Sequence, residues 1–278
     1  MPYFTASDGA RIFYEDKGSG RPVLLLHGFM AHRGFFRFQK PLADRFPLVA
    51  PDLPAHGDSC DARGAVTVEQ IAEDVAALVK TLGLRDVVGI GWSLGAAVLW
   101  HVLSGPSGSR FAGSVIVDMT PRVLNDGDWQ LGLSAEACEV RRAAIQSDFD
   151  TFARAAGQAI FAQPVAAGLE ELARWSGKEF ARNDASDMGL LWASLARQDL
   201  RPLLREIAQP ALVIRGGHTQ PYGPGTADYL VEALPDARAV RFDRSGHAPH
   251  MEQPELFNTL VTEFAAGLPR VCEPQESI

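Results

Sequence analysis

The sequence predicts an α/β protein with a mostly parallel sheet flanked by helices, and three observations support this fold class. Short β-rich runs alternate with helical stretches along most of the 278 residues. Several runs, such as Val23–Leu26, are wholly apolar and bounded by glycine or proline, which is typical of strands buried on both faces. Residues 122–209 break the alternation because they are helical in pattern without a convincing strand.

The predicted elements begin with an N-terminal hairpin in which Pro2–Ala6 and Ala10–Glu15 flank the turn Ser7-Asp8-Gly9. Further strands are predicted over Val23–Leu26, Phe46–Ala50, Asp86–Gly91, Ser114–Asp118, Ala211–Arg215 and Ala237–Phe242. Helices are predicted over Arg33–Arg45, Val68–Leu82, Leu94–Leu103, Thr226–Ala233 and Pro254–Phe264. Helices between consecutive strands are what parallel crossover connections require.

The helical segment 122–209 is predicted to form a cap over the carboxyl edge of the sheet, with residues 1–121 and 210–278 as the core. We expect one long helix over 136–161 and shorter helices around 169–175 and 188–196. Aromatic side chains in such a cap either pack it onto the core or line an apolar substrate pocket. The pocket candidates are Trp129, Phe161 and Trp192 of this segment, together with Trp92.

Composition and charge exclude several classes of protein. The formal net charge of −8 opposes binding to nucleic acid or to anionic lipid surfaces. No apolar run exceeds five residues, so no membrane-spanning helix is expected, and without a secretory signal the expected location is the cytoplasm. Cys60, Cys138 and Cys272 are too widely spaced for a zinc or redox pair, and we expect unpaired thiols. The sequence leaves the oligomeric state open.

The strongest local signal is the pentapeptide Gly91-Trp92-Ser93-Leu94-Gly95, which follows a predicted strand and opens a predicted helix. A nucleophile elbow has this setting, because its tight strand-to-helix turn needs small residues two positions before and after the nucleophile. Ser93 is therefore the candidate nucleophile. Its hydroxyl is a weak nucleophile near neutral pH, so it requires a neighbouring base and a group that orients that base.

His247 is the candidate base because it lies in the loop after the last predicted strand, at the sheet edge that also carries Ser93. His250 is the rival and is expected to be a supporting or surface group. The backbone N–H groups of Phe29 and Leu94 are the candidate oxyanion donors, since a loop after the Val23–Leu26 strand reaches the same edge.

These motifs, in this order, resemble the α/β-hydrolase superfamily over nearly the whole chain. The resemblance rests on His27-Gly28-Phe29, the run from Pro51 to Ser59, the elbow at Ser93, and Ser245-Gly246-His247 before Glu252-Gln253-Pro254. It extends to serine esterases and non-haem haloperoxidases. It implies an eight-stranded sheet, a helical cap, and a triad of nucleophile, acid and histidine. No nucleotide-binding or zinc motif occurs in context, so no cofactor or metal is expected.

The sequence departs from the commonest pattern of that family at the triad acid. The acid usually follows the strand that corresponds to Ala211–Arg215, but the loop at 216–224 contains no carboxylate. Some members take the acid from the end of the preceding strand, where this chain has Asp118. Asp118 is therefore the expected partner of His247. Asp228, Asp243 or a dyad without an acid are the alternatives.

The resemblance and the candidate triad together predict a cofactor-independent serine hydrolase for a small apolar or aromatic carboxylic ester, with lactones and thioesters left open. One alternative is a cofactor-free dioxygenase of the same fold, in which the His247–Asp118 pair removes a proton from the substrate. A dehalogenase is disfavoured because that reaction needs a carboxylate nucleophile where this chain has Ser93. From another class, the fold serves as a non-catalytic receptor for small molecules.

Overall fold

The computed structural model describes residues 3–6, 9–17, 20–59 and 66–270. Eight strands within these ranges form one sheet. They are β1 (Tyr3–Thr5), β2 (Arg11–Lys17), β3 (Val23–Leu26), β4 (Leu48–Pro51), β5 (Val87–Trp92), β6 (Phe111–Val117), β7 (Ala211–Gly216) and β8 (Ala237–Phe242). Their order across the sheet is β1-β2-β4-β3-β5-β6-β7-β8. The predicted α/β class is confirmed.

Strands β3 to β8 run parallel to one another, whereas β2 is antiparallel to both β1 and β4. Every residue of β3, β5 and β6 is buried, because helices cover both faces of the central strands. The antiparallel β1–β2 pair agrees with the predicted hairpin, although Ser7 and Asp8 of its turn lie outside the described residues. All parallel strands end at one edge, which carries the site described below.

The helices occupy the crossovers, as the alternating pattern predicted. A 3-10 segment covers Arg33–Asp44 and a short 3-10 turn covers Pro106–Arg110. The α-helices are α1 (Val68–Thr81), α2 (Leu94–Ser104), α3 (Ala135–Ser147), α4 (Phe149–Ala159), α5 (Glu170–Phe180), α6 (Ala185–Ala196), α7 (Arg201–Leu204), α8 (Thr226–Ala233), α9 (Pro249–Glu252) and α10 (Pro254–Gly267). None of the helices in the described ranges combines the length and apolar character needed to cross a membrane.

Helices α3 to α7 all lie between β6 and β7, but the single long helix expected over 136–161 is wrong. The backbone breaks at Asp148, whose φ of −154° and ψ of 73° are not helical. Its carboxylate accepts a hydrogen bond from the N–H of Thr151 at 3.3 Å and so caps the start of α4. A short acidic side chain stabilises a helix start more than a helix interior, which explains the break.

Two glycines let α4 and α5 pack backbone to backbone. A Cβ atom on Gly157 would lie 2.5 Å from the Cα atom of Gly177, so neither position has room for a side chain. In the adjoining helix α3, Cys138 is an unpaired, buried thiol. Cys60 and Cys272 lie outside the described residues.

Candidate active site

The carboxyl edge of the sheet brings together four segments that are distant in sequence. Phe29 follows β3, Ser93 follows β5, Asp118 follows β6, and His247 lies in the loop after β8. Phe29, Ser93 and His247 line a single cavity of about 310 Å³. A cavity of this volume fits a small organic ligand.

Ser93 occupies a strained turn between β5 and α2, with φ of 52° and ψ of −118°. A Cβ atom on Gly91 would lie 2.5 Å from the carbonyl oxygen of Gly95, and a Cβ atom on Gly95 would collide with the carbonyl of Leu26. Both glycines are therefore sterically required. A non-glycine residue with positive φ costs about 1–3 kcal/mol, which the packed strand and helix on either side must offset. The turn projects the Ser93 side chain into the cavity.

Asp118 lies directly after β6 and is 5% exposed. Its Oδ2 atom lies 2.5 Å from Nδ1 of His247. The same carboxylate accepts hydrogen bonds from the Thr219 hydroxyl at 2.5 Å and from the Gly216 N–H at 3.2 Å. Thr219 lies in the loop that lacks a carboxylate, and that loop instead supplies donors that orient Asp118.

The alternative acids are placed differently. Asp228 is exposed on α8, and the side chain of Asp243 is 80% exposed and pairs with Arg241 at 3.0 Å. The structure thus brings Asp118 to His247 and leaves the other two carboxylates at the surface.

The backbone of His247 is held from both sides of the cavity. Its N–H donates to the carbonyl of Ile160 at 2.6 Å, and its carbonyl accepts from the indole N–H of Trp92 at 2.8 Å. The Glu252 carboxylate accepts from the N–H groups of Gly246 and Ala162 at 2.7 and 2.8 Å, and burial raises its pKa to about 7. These bonds tie the His247 loop to the end of α4.

The candidate oxyanion donors face the elbow. A Cβ atom on Gly28 would lie 3.3 Å from Cβ of Ser93, so the loop after β3 approaches the nucleophile closely. In the described part of the chain, the backbone N–H groups of Phe29 and Leu94 have no hydrogen-bond acceptor. Leu94 also begins α2, where the helix dipole favours negative charge. Both N–H groups are free to bind an oxyanion.

Two buried histidines shape that loop rather than facing the nucleophile. His27 Nε2 accepts from the Leu53 N–H at 2.8 Å, and His56 Nε2 accepts from the Met30 N–H at 3.2 Å. Burial lowers the pKa of His56 to about 4 and that of His27 well below its usual value, so both act as neutral acceptors.

The predicted pocket aromatics divide into two pairs. Trp92 and Trp192 line the cavity, whereas Trp129 and Phe161 do not. Trp129 packs edge-on against Tyr229 at 4.8 Å on another face, and its indole N–H donates to a backbone carbonyl. Phe161 is fully buried in the core. Assigning Trp129 and Phe161 to the pocket was wrong because their apolar rings are used in packing.

Tyr222 is a site residue that the sequence reasoning missed. Its hydroxyl donates to the Met119 sulfur at 3.2 Å, and its side chain lines the cavity together with Ser93. Burial raises the pKa of Tyr222 well above its usual value, so the phenol stays neutral beside the nucleophile. The available signal was its place in the 216–224 loop, which the family pattern associates with the triad acid.

His250 is a buried core residue, so the alternative of a surface group is wrong. Its ring is fully buried, 4.7 Å from that of Trp92 and 5.0 Å from that of Phe36. Neither ring nitrogen has a hydrogen-bond partner among the described residues. Burial, reinforced by the neighbouring His247, lowers the pKa of His250 from 6.5 to about 3.

Replacing His250 with phenylalanine is expected to make the protein more resistant to acid. The unfolded chain protonates this histidine below its usual pKa of 6.5, whereas the folded protein does so only near 3. The wild type therefore loses stability as pH falls between these values, by about 1.4 kcal/mol per pH unit for this group. Urea unfolding from about pH 7 to pH 4 should show a shallower decline for His250→Phe. Parallel declines in both proteins would contradict the buried neutral state.

Comparisons with known proteins agree with this arrangement. A model of the alpha/beta hydrolase family matches residues 23–260. A pimeloyl-acyl-carrier-protein methyl ester esterase from Nitrosomonas europaea is 32% identical over 257 residues, covering 89% of this chain and 97% of that protein. A non-heme haloperoxidase from Rhodococcus erythropolis is 36% identical over 126 residues, which are 45% of this chain and 46% of that protein.

Among solved structures, an esterase from Exiguobacterium antarcticum has a TM-score of 0.89 to this chain at 23% sequence identity. The match covers 95% of this chain and 99% of that one, which establishes similarity of fold. The resemblance inferred from the motifs is thereby confirmed, and this chain belongs to the α/β-hydrolase family.

Proposed function

We propose that this protein is a cofactor-independent serine hydrolase that cleaves carboxylic esters through an acyl-enzyme on Ser93. The observation that carries the proposal is the 2.5 Å contact between Asp118 Oδ2 and His247 Nδ1 beside a cavity that Ser93 enters from a strained elbow. Nucleophile, base and orienting acid are the three parts that acyl transfer needs. The relative from Nitrosomonas europaea is named for an ester substrate as well.

In the first half-reaction, Ser93 Oγ attacks the ester carbonyl carbon while His247 Nε2 removes its proton. Asp118 holds the other ring nitrogen in its protonated tautomer and stabilises the imidazolium. The carbonyl oxygen becomes an oxyanion, which the N–H groups of Phe29 and Leu94 bind. The tetrahedral intermediate collapses, its bond to the alcohol oxygen breaks, and His247 returns the proton to the departing alcohol.

The second half-reaction repeats these steps with water as the nucleophile. His247 removes a proton from water, the resulting hydroxide attacks the acyl carbon, and the bond to Ser93 Oγ breaks as His247 returns the proton to that oxygen. Among the described residues no hydrogen bond joins the Ser93 hydroxyl to His247 in the free enzyme, so substrate binding must bring the two groups together. Such rearrangement is common, because catalytic hydrogen bonds often tighten only when substrate is bound.

The substrate is an apolar or aromatic ester, because the cavity walls are mainly hydrocarbon. Phe29, Trp92, Phe152, Phe180 and Trp192 supply most of the aromatic surface. Phe152, Phe180 and Trp192 lie on α4, α5 and α6, so we propose that residues 122–209 form the cap that closes over the ester. Lactones and thioesters present the same electrophilic carbonyl and extend this substrate class.

Intact-protein mass spectrometry after treatment with a fluorophosphonate tests the proposal. The wild type should gain one phosphonyl adduct, and Ser93→Ala should gain none. Ser109→Ala is the matched control, since Ser109 is an exposed serine outside the site. An adduct that persists in Ser93→Ala would exclude Ser93 as the activated nucleophile.

The two alternative functions predict different results. A cofactor-free dioxygenase would use the His247–Asp118 pair to deprotonate an organic substrate and would consume oxygen. A receptor would bind a ligand tightly without forming an adduct or releasing acid. Ester hydrolysis is preferred because the free N–H groups of Phe29 and Leu94 face the elbow, where the oxyanion of an acyl-transfer intermediate forms.

A further inference from the structure

Arg141 occupies a position on α3 where an apolar residue is expected. Cys138 and Ile145, three residues before and four residues after it, lie on the same face of the helix and are both buried. Glu139 and Arg142 lie on the opposite, exposed face. The half-buried Arg141 side chain therefore extends inward, and it lines the same cavity as Ser93.

The environment of Arg141 in the cavity is mainly apolar. Its guanidinium carbon lies 5.5 Å from the centre of the Trp192 ring, which is within range of a cation–π contact. Its positive charge also acts on Tyr222, where it opposes the rise in pKa caused by burial. Because Tyr222 and Ser93 line this cavity as well, the cation and the nucleophile share one compartment.

The guanidinium of Arg141 also lacks a protein anion. No carboxylate in the described part of the chain forms an ion pair with Arg141, and no hydrogen bond from it to a described residue is present. Other arginines of α3 and α4 do form ion pairs. Arg142 donates to Glu139 at 2.7 Å, and Arg154 donates to Asp150 at 2.7 Å. Among the described residues that line the cavity, Arg141 is the one arginine, and its charge is left without a carboxylate partner.

We propose that Arg141 binds a carboxylate carried by the substrate, so that the preferred substrates are esters whose acyl chain ends in a second, ionised carboxyl group. This inference rests on the proposed ester hydrolysis and names its substrate class. A guanidinium matches the two oxygens of a carboxylate with two parallel N–H donors. A phosphate monoester carries nearly two charges at neutral pH, and one arginine would leave the second uncompensated in an apolar cavity.

The test compares two matched methyl esters in the wild type and in Arg141→Met. Monomethyl adipate carries the carboxylate, and methyl 6-methylheptanoate replaces it with an isopropyl group of similar shape. The ratio of their kcat/KM values should fall by about 10- to 100-fold in Arg141→Met, because a hydrogen-bonded charge pair is lost. Monomethyl esters from succinate to sebacate give the chain length at which the effect is largest.

Three further measurements isolate the charge. Arg142→Met removes a neighbouring, exposed cation and should leave the ratio unchanged. Arg141→Lys should restore part of the preference, and added salt should lower the wild-type ratio by screening the pair. An unchanged ratio in Arg141→Met at every chain length, or a wild type that favours the isopropyl ester throughout, would overturn the proposal.

A binding measurement separates this inference from the proposed reaction. Calorimetry with Ser93→Ala and the same monomethyl esters needs no turnover. Binding that weakens about 10- to 100-fold when Arg141→Met is added supports the carboxylate site even if no ester is hydrolysed. Binding that does not depend on Arg141 overturns the carboxylate site, whereas Ser93-dependent ester hydrolysis in the same preparation leaves the proposed function intact.

Discussion

Ser93→Ala is expected to lower kcat for ester hydrolysis by about a million-fold, the loss seen when the nucleophile of a serine triad is removed. The elbow projects the Ser93 side chain into the cavity, and none of the other described residues that line the cavity is a serine, threonine or cysteine. A residual rate about 10³- to 10⁴-fold above that in water should remain, since the oxyanion donors are backbone groups. Initial rates with 4-nitrophenyl esters measure both values.

Ser109→Ala provides the background for this comparison and should keep the wild-type rate. Thermal unfolding of Ser93→Ala should match or slightly exceed that of the wild type, because alanine keeps the Cβ atom that the turn already accommodates. A Ser93→Ala rate within tenfold of the wild type would contradict the acyl-enzyme mechanism.

Asp118→Asn is expected to lower kcat by about 10⁴-fold while leaving the fold intact. The asparagine side chain has nearly the same shape as aspartate. Its NH2 group, however, cannot accept a hydrogen bond from the Nδ1–H of His247. When the amide oxygen takes the Oδ1 position and accepts from the Gly216 N–H, the amide nitrogen takes the Oδ2 position, faces His247 and favours the wrong tautomer. Steady-state kinetics over a range of pH measures the loss and any recovery at high pH.

Asp228→Asn and Asp243→Asn are the matched controls for the alternative acids. Both carboxylates are exposed, so these variants should keep kcat within about twofold of the wild type. A large loss in either variant, together with a mild effect of Asp118→Asn, would move the role of acid away from Asp118.

Local sequence patterns account for the elbow and for the strands around it. The glycines at 91 and 95 are required by contacts within one turn and with the adjacent strand β3. The apolar run Val23–Leu26 is buried on both faces, as its composition predicted. The elbow and the buried strands depend on residues that are near one another in the sequence. Both features can therefore be predicted without a structure.

The placement of the triad acid, and the hydrogen bonds that orient it, depend on segments that are distant in the sequence. The sequence predicted Asp118 from the parallel strand order and the family pattern, but it did not indicate that Thr219 and Gly216 would donate to the same carboxylate. Those contacts span about a hundred residues and depend on how the loop after β7 folds across the end of β6. The same loop carries Tyr222 to the cavity that Ser93 lines.

The helical segment between β6 and β7 shows where sequence reasoning failed. Helical periodicity continues across Asp148, yet capping of α4 by its carboxylate divides the predicted helix. Trp129 and Phe161 are as apolar as Trp192, and only packing decides which of the three faces the cavity. The sequence analysis did not single out Arg141, although its spacing from Cys138 and Ile145 places it on the buried face of α3.

By itself, the sequence determined the α/β class, the order of the strands and helices, the elbow at Ser93 and its family. Strand burial and tight turns impose strong local rules on residue type, so these features are encoded in short patterns. The tertiary structure alone decided which carboxylate meets His247 at 2.5 Å, which aromatic rings line the cavity, and that Arg141 extends into it without a carboxylate partner among the described residues. Those outcomes depend on which side chains different segments bring together, and no local pattern records that packing.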